Sequence, residues 1–197
     1  MPSARPPPHT PPAKVLRSGK APDVITTTMN YLIAKAPEIR MHVEKPTAVF
    51  DVDECLLWWR GKRDGVVARE DVRPLWDYCM RENWNMVICT ARPKSKAGMT
   101  YLFKQLQALH FHPEKVHKFY MMGSEYKRDP GPFKADVRLR LRDAGLTPVV
   151  MVGDQWTDVR REGDALRPER RLAHVVYRPD PVTLLGIKLD EDRYERP

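Results

Sequence analysis

From residue 46 onward, apolar runs of strand length alternate with segments of helical periodicity, and that alternation restricts the chain to a parallel sheet flanked by helices. The runs predict strands over 48–52, 86–90, 119–122, 149–152 and 173–177, with helices over 71–81, 97–109, 133–144 and 157–162 between them. Phe133, Val137 and Leu141 recur at i, i+4 and i+8, which gives the third helix one apolar face. In an open sheet of this kind, ligands sit beyond the carboxyl ends of the strands. Asp51, Asp53, Thr90 and Asp154 all fall at or just past such ends.

The 197 residues suit one domain with a full core and a tail, and are short for two independent cores. Residues 1–22 carry seven prolines, which predicts an extended or disordered basic tail. A helix is expected over 24–36, closed by Pro37, within a helix-and-linker region spanning 23–45. The catalytic domain is then expected over 46–180, with 181–197 as a C-terminal extension.

Lys and Arg number 34 against 26 Asp and Glu, a net charge of +8 that favours anionic partners, nucleic acid among them. No apolar run approaches the ~20 residues that cross a bilayer, and no secretory signal core is present, so the expectation is an intracellular, cytoplasmic protein without a membrane partner. Cys55, Cys79 and Cys89 lie in or beside apolar segments at no metal-ligand spacing, the pattern of reduced, buried thiols.

The polar residues at the strand ends suit phosphoryl transfer. A phosphate monoester is cleaved in two easier steps when a carboxylate attacks phosphorus and water then hydrolyses the acyl phosphate. Asp51 is the candidate nucleophile, and Asp53 the candidate acid and base that protonates the leaving group and later deprotonates water. In isolation, Asp-x-Asp serves equally well as a pair of turn or capping carboxylates. Thr90, with the Ala91 amide, is placed to donate to a phosphate oxygen. Asp154, with Asp51 and the Asp53 carbonyl, offers the hard oxygen ligands that Mg²⁺ prefers, and Asp158 is placed to hold a metal-bound water or to orient Lys134. Lys134 would supply a second positive charge, with Lys127 the competing lysine. Asp64-Gly65 suits a hairpin turn within 56–67, and that hairpin would carry Trp58, Trp59 and the substrate-binding candidate Arg60 to the site entrance.

Taken in order, Asp51-Val52-Asp53, Thr90, Lys134 and Gly153-Asp154 with Asp158 resemble the motif series of the haloacid dehalogenase (HAD) superfamily of Mg²⁺-dependent phosphatases, over residues 47–177. The wording Asp-Val-Asp-Glu and Gly-Asp-Gln-Trp-Thr-Asp looks most like its acid-phosphatase-like branch, although Cys55 stands where many members carry Thr or Val. The resemblance implies a Rossmann-like HAD fold and an aspartyl-phosphate intermediate on Asp51. Thr90 lies 39 positions after Asp51 and Lys134 a further 44 on, intervals that the expected strands and helices nearly fill. Little or no cap domain is therefore expected, as in relatives that act on large phosphorylated substrates, including nucleic-acid ends.

A cysteine-based phosphatase needs Arg six residues after its nucleophile, where Cys55, Cys79 and Cys89 are followed by Gly61, Asn85 and Ser95. No P-loop, dinucleotide fingerprint or zinc pattern occurs. The main competing reading is a HAD-like binding module that holds nucleic acid or protein without turnover; a phosphomutase ranks below it.

Overall fold

The computed structural model describes residues 14–127, 129–159, 173–178 and 184–189. Seven strands form one sheet in the order β1-β8-β9-β7-β2-β5-β6. These are β1 (Lys14–Gly19), β2 (Pro46–Phe50), β5 (Asn85–Pro93), β6 (Lys118–Met122), β7 (Thr147–Gly153), β8 (Ala173–Arg178) and β9 (Leu184–Lys188). The five strands β9-β7-β2-β5-β6 run parallel, a Rossmann-like α/β arrangement. Helices α1 (Ala21–His42), α3 (Arg73–Arg81), α4 (Lys96–Ala108), α5 (Pro130–Asp143) and the short α6 (Trp156–Val159) flank it.

A parallel strand is covered on both faces, so its side chains are apolar in both alternating sets. Ala48, Phe50, Met86, Ile88, Val150 and Val152 join the larger core cluster with Val24, Leu75, Trp76, Leu102 and Leu106 of α1, α3 and α4. Val49, Val87, Cys89 and Met151 face the other way, against Phe133, Val137 and Leu141 of α5 and Val159 of α6. Adjacent positions on one strand thus feed opposite layers, as a two-residue period requires.

The four parallel strands expected over 48–52, 86–90, 119–122 and 149–152 are present, as are the helices between them. Other expectations need correction. Helix α1 does not stop at Pro37 but carries it inside a 22-residue helix. A proline there removes one intrahelical hydrogen bond, and the helix continues because Ile39 beyond it is buried in the same core as Leu32. The strand expected over 173–177 exists but runs antiparallel to β9 and β1 rather than joining the parallel set. The segment assigned to a C-terminal extension supplies β9, which lies inside the sheet between β7 and β8, so a domain boundary at 180 would cut through it. Of the expected tail, residues 14–19 are extended and pair as β1, while 1–13 lie outside the described residues, as do 160–162 of the last expected helix and 190–197 of the extension.

Between β2 and α3, a two-stranded hairpin of β3 (Leu57–Trp59) and β4 (Val66–Ala68) stands apart from the main sheet. Its link is longer than a two-residue turn, because a single helical turn, α2 (Gly61–Asp64), fills it before Gly65 reverses the chain at φ +64°. Between Asp51 and Lys134 the described residues add this hairpin and two three-residue 3-10 turns, Pro113–Lys115 and Ser124–Tyr126, to the elements that cover the sheet. Among the described residues, no helix is long and apolar enough to cross a membrane.

Candidate active site at the carboxyl edge of the sheet

Strand β2 ends at Phe50, and the next residue, Asp51, stays tied to the sheet through its amide, which donates to the Val152 carbonyl at 2.9 Å. The chain then turns sharply, with the Val52 carbonyl accepting from the amides of Leu56 and Leu57, both at 2.9 Å. That turn separates the two aspartates. Asp51 is 7% exposed and points into the protein, whereas the Asp53 side chain is 57% exposed at the rim.

Strand β7 ends at Gly153, adjacent to Asp51's strand. A Cβ at residue 153 would lie 2.1–2.3 Å from the Asp158 side chain, so glycine is required for Asp158 to fold back over the strand end. The Gln155 amide donates to Asp158 Oδ2 at 2.9 Å, and the Asp158 amide returns to the Gln155 carbonyl at 3.0 Å, which fixes the turn. Gln155 Nε2 donates to Asp154 Oδ2 at 2.6 Å. On α5, capped by Asp129, Lys134 projects from the buried face into the same space and pairs with Asp158.

Asp51, Asp154 and Asp158 therefore converge, each offering a carboxylate oxygen within 4.8 Å of the others, and all three are buried. Lys134 Nζ stands 3.3 Å from Asp51 Oδ1, close enough for ionic attraction, yet that oxygen accepts no hydrogen bond. Lys134 pairs with two of the three carboxylates and Arg138 adds a weaker attraction to Asp158, which leaves the described group short of positive charge when all three are ionised. Burial pushes the Asp51 carboxyl well up, Asp158 pushes it further, and Lys134 opposes the rise. Burial and Asp158 raise Asp154 to about 6. Asp158 is raised by burial, with Lys134 pulling it back. Burial works against the Lys134 ammonium, but Asp51 and Asp158 outweigh it and hold its pKa above the ordinary lysine value. Nearby Glu54 is also raised, by burial and then by Asp154.

Asp51, Asp154 and Asp158, three clustered carboxylates with an unpartnered oxygen among them, could hold a hard divalent ion such as Mg²⁺.

Of the remaining expected residues, Thr90, Ala91 and Asp53 lie at the same edge of the sheet, whereas Arg60 lines a separate cleft that none of the acidic group enters. Thr90 is fully buried on β5, and its hydroxyl oxygen accepts from the Arg92 amide at 3.2 Å; half-buried Ala91 lies between them on the strand. The Asp53 carboxylate is not a member of the acidic group, since Arg92 grips it with Nη2 at 2.6 Å and Nε at 2.9 Å. Lys134, not the exposed Lys127, reaches the carboxylates. Arg60 lies with its guanidinium 4.6 Å from the Trp58 ring, beside a cleft of about 860 Å³ lined by Lys20, Trp58, Arg60, Asp64, Arg69 and Asp71. Its amide donates to the Gly65 carbonyl at 2.8 Å, which helps close the hairpin link. Burial pushes the Cys55, Cys79 and Cys89 thiols up, which keeps them from acting as nucleophiles.

Arg92 is the residue that the sequence reading missed. The available signal was its position two residues beyond Thr90 on a run expected to end there; the strand continues to Pro93 and presents Arg92 at the rim. No family model matches the chain, and no curated protein matches it either.

Proposed function

We propose that the protein is a Mg²⁺-dependent phosphomonoester hydrolase of the HAD type, with Asp51 as nucleophile. The observation that carries this reading is the buried Asp51-Asp154-Asp158 group at the carboxyl edge of a parallel sheet, with Lys134 paired to it and an Asp51 oxygen without a hydrogen bond.

In the proposed reaction, an Asp51 oxygen forms a bond to phosphorus, the bond from phosphorus to the ester oxygen breaks, and Asp53 gives its proton to the departing oxygen. Water then attacks the aspartyl phosphate, its proton passes to Asp53, and the Asp51–phosphorus bond breaks to release inorganic phosphate. Lys134 holds Asp51 and Asp158 in place and contributes positive charge where the phosphate's negative charge gathers. The Thr90 hydroxyl, which accepts from Arg92 and gives its own proton to no described group, is free to donate to a phosphate oxygen. A Mg²⁺ held by Asp51, Asp154 and Asp158 would supply the charge that allows a carboxylate to approach a phosphate dianion.

The substrate we propose is larger than a metabolite, with a nucleic-acid end as the favoured class. Between Asp51 and Lys134 the described residues stand one small hairpin off the main sheet rather than a cap domain, which suits a long leaving group. Along the cleft beside the hairpin, Glu70 is engaged by Arg73 at 2.8 Å and Asp71 by Arg69 at 3.1 Å, whereas Lys20, Arg60 and Asp64 have no oppositely charged partner among the described residues. Trp59 is 51% exposed on the same hairpin and offers a stacking face.

The test is phosphate release from p-nitrophenyl phosphate and from an end-phosphorylated oligonucleotide, with Mg²⁺, with EDTA and with Asp51→Asn. We expect turnover only in the wild type with Mg²⁺, and a higher kcat/KM for the oligonucleotide. Activity that survives Asp51→Asn would sink the nucleophile assignment. A folded, inactive wild type that binds oligonucleotide in a salt-sensitive manner would favour the binding module instead.

A further inference from the structure

The two aspartates of Asp51-Val52-Asp53 are held by different means. Asp51 is fixed by burial and by the sheet, but Asp53 sits in an exposed turn where a carboxylate would ordinarily rotate freely. It does not, because the Arg92 fork closes on it: Nη2 lies 2.6 Å from Oδ1, and Nε lies 2.9 Å from Oδ2. The third arm, Nη1, donates to Gln105 Oε1 on α4 at 2.6 Å. The backbone of Arg92 is tied as well, through its amide to the Thr90 hydroxyl oxygen. One residue thus links the acid and base candidate, the phosphate-binding candidate and the helix behind them, across 39 positions of sequence.

We propose that Arg92, braced by Gln105, is a positioning residue that sets the Asp53 carboxylate as the base for the second half of the reaction. This rests on the hydrolase reading above. Exposed ion pairs add little to stability, so folding alone does not account for a bidentate grip braced from a second element. A guanidinium fork donating two parallel N–H groups fixes the plane of the Asp53 carboxylate, and with it the oxygen that takes a proton from water. In that step the water oxygen bonds to phosphorus, the Asp51–phosphorus bond breaks, and the water proton goes to Asp53. With p-nitrophenyl phosphate the departing phenolate needs little help from an acid, so the placement of Asp53 tells mainly on the second half-reaction. Loss of Arg92 should therefore slow hydrolysis of the aspartyl phosphate more than its formation.

Rapid-quench kinetics with p-nitrophenyl phosphate separate the two steps, because p-nitrophenol reports formation and inorganic phosphate reports hydrolysis. For Arg92→Met we expect kcat to fall about 100-fold with KM falling in parallel, so that kcat/KM stays within about twofold, a p-nitrophenol burst near one per site, and phosphorylated Asp51 visible by intact mass. Arg92→Lys, with a charge but no fork, should recover part of the hydrolysis rate. Gln105→Leu, which leaves Arg92 and Asp53 untouched, should show the same pattern at about 5- to 10-fold, and it keeps the test open if Arg92→Met folds poorly. A rise in KM with unchanged kcat would make Arg92 a substrate contact and overturn the proposal. Equal loss in both steps, or no loss in either Arg92→Met or Gln105→Leu, would also overturn it. An inactive wild type would remove the hydrolase reading and this proposal together, whereas an active wild type with unaffected variants removes only this one.

Discussion

Phe50, the last residue of β2, and Asp51, the first beyond it, are both buried, yet the regions to which they belong work in opposite directions. Phe50 lies in the apolar body of the sheet, 5.1 Å from the Trp76 ring in an edge-on contact, and Trp76 in turn meets Phe111 at 5.4 Å. Burial there removes apolar surface from water and stabilises the fold. One residue further along, burial forces three carboxylates together around a single lysine. The same strands that build the core thus carry a charged group that the core makes unfavourable. Stability and chemical readiness are separated by a single peptide bond, and the carboxyl edge gives up the first for the second.

The largest expected effect is in the apolar body. Phe50→Ala should cost about 3–5 kcal/mol, read as a lower denaturant midpoint at unchanged slope. At the edge the sign should reverse with a ligand present: Mg²⁺ at ~100 times its dissociation constant should stabilise the wild type by about 2.7 kcal/mol, and Asp154→Asn should lose most of that gain. Without metal, Asp51→Asn should be more stable than the wild type by roughly 1–2 kcal/mol, because it removes a buried charge without changing shape. A drop comparable to that of Phe50→Ala would erase the distinction between the regions. The smallest effect is in pH. Asp154, raised to about 6 in the folded chain, binds more protons folded than unfolded above its ordinary value near ~3.9. Its contribution to stability is full below that ordinary value and is lost as pH climbs through its folded value. The metal-free protein should therefore lose about 1 kcal/mol from this group between pH 5 and 7, and a thermal-melt series on Asp154→Asn should be flatter over that window.

How far the sequence disclosed this division depends on the signal. The strands over 48–52, 86–90 and 149–152 were legible because parallel strands must be apolar on both faces, and the abrupt arrival of Asp51 and Asp154 after such runs marked the edge. The start of β7 at Thr147 was hidden by Pro148, which sits in the strand beside a register shift against β2. Pro37 was read as a stop because local sterics favour one; the burial of Ile39, a tertiary effect, overrode it. The direction of β8 and the insertion of β9 were not legible, since no local pattern states which strand a segment will pair with. Asp53 and Arg92 show the same limit at the site, for their contact joins a turn after β2 to the end of β5.

The position of β9 also bears on how the chain is made. Synthesis runs at about 5–20 residues per second from the N-terminus, and domains tend to fold as they emerge. Every residue assigned a catalytic or metal-binding role is on the chain once Asp158 is made, but β7 then has β2 on one side and nothing on the other until residues 184–188 arrive. Until then, the strand that carries Asp154 would be an open edge with its amides and carbonyls exposed, the kind of surface to which other nascent chains add. Chaperone demand for this protein should therefore peak late in translation, after the catalytic residues exist and before the sheet can close around them.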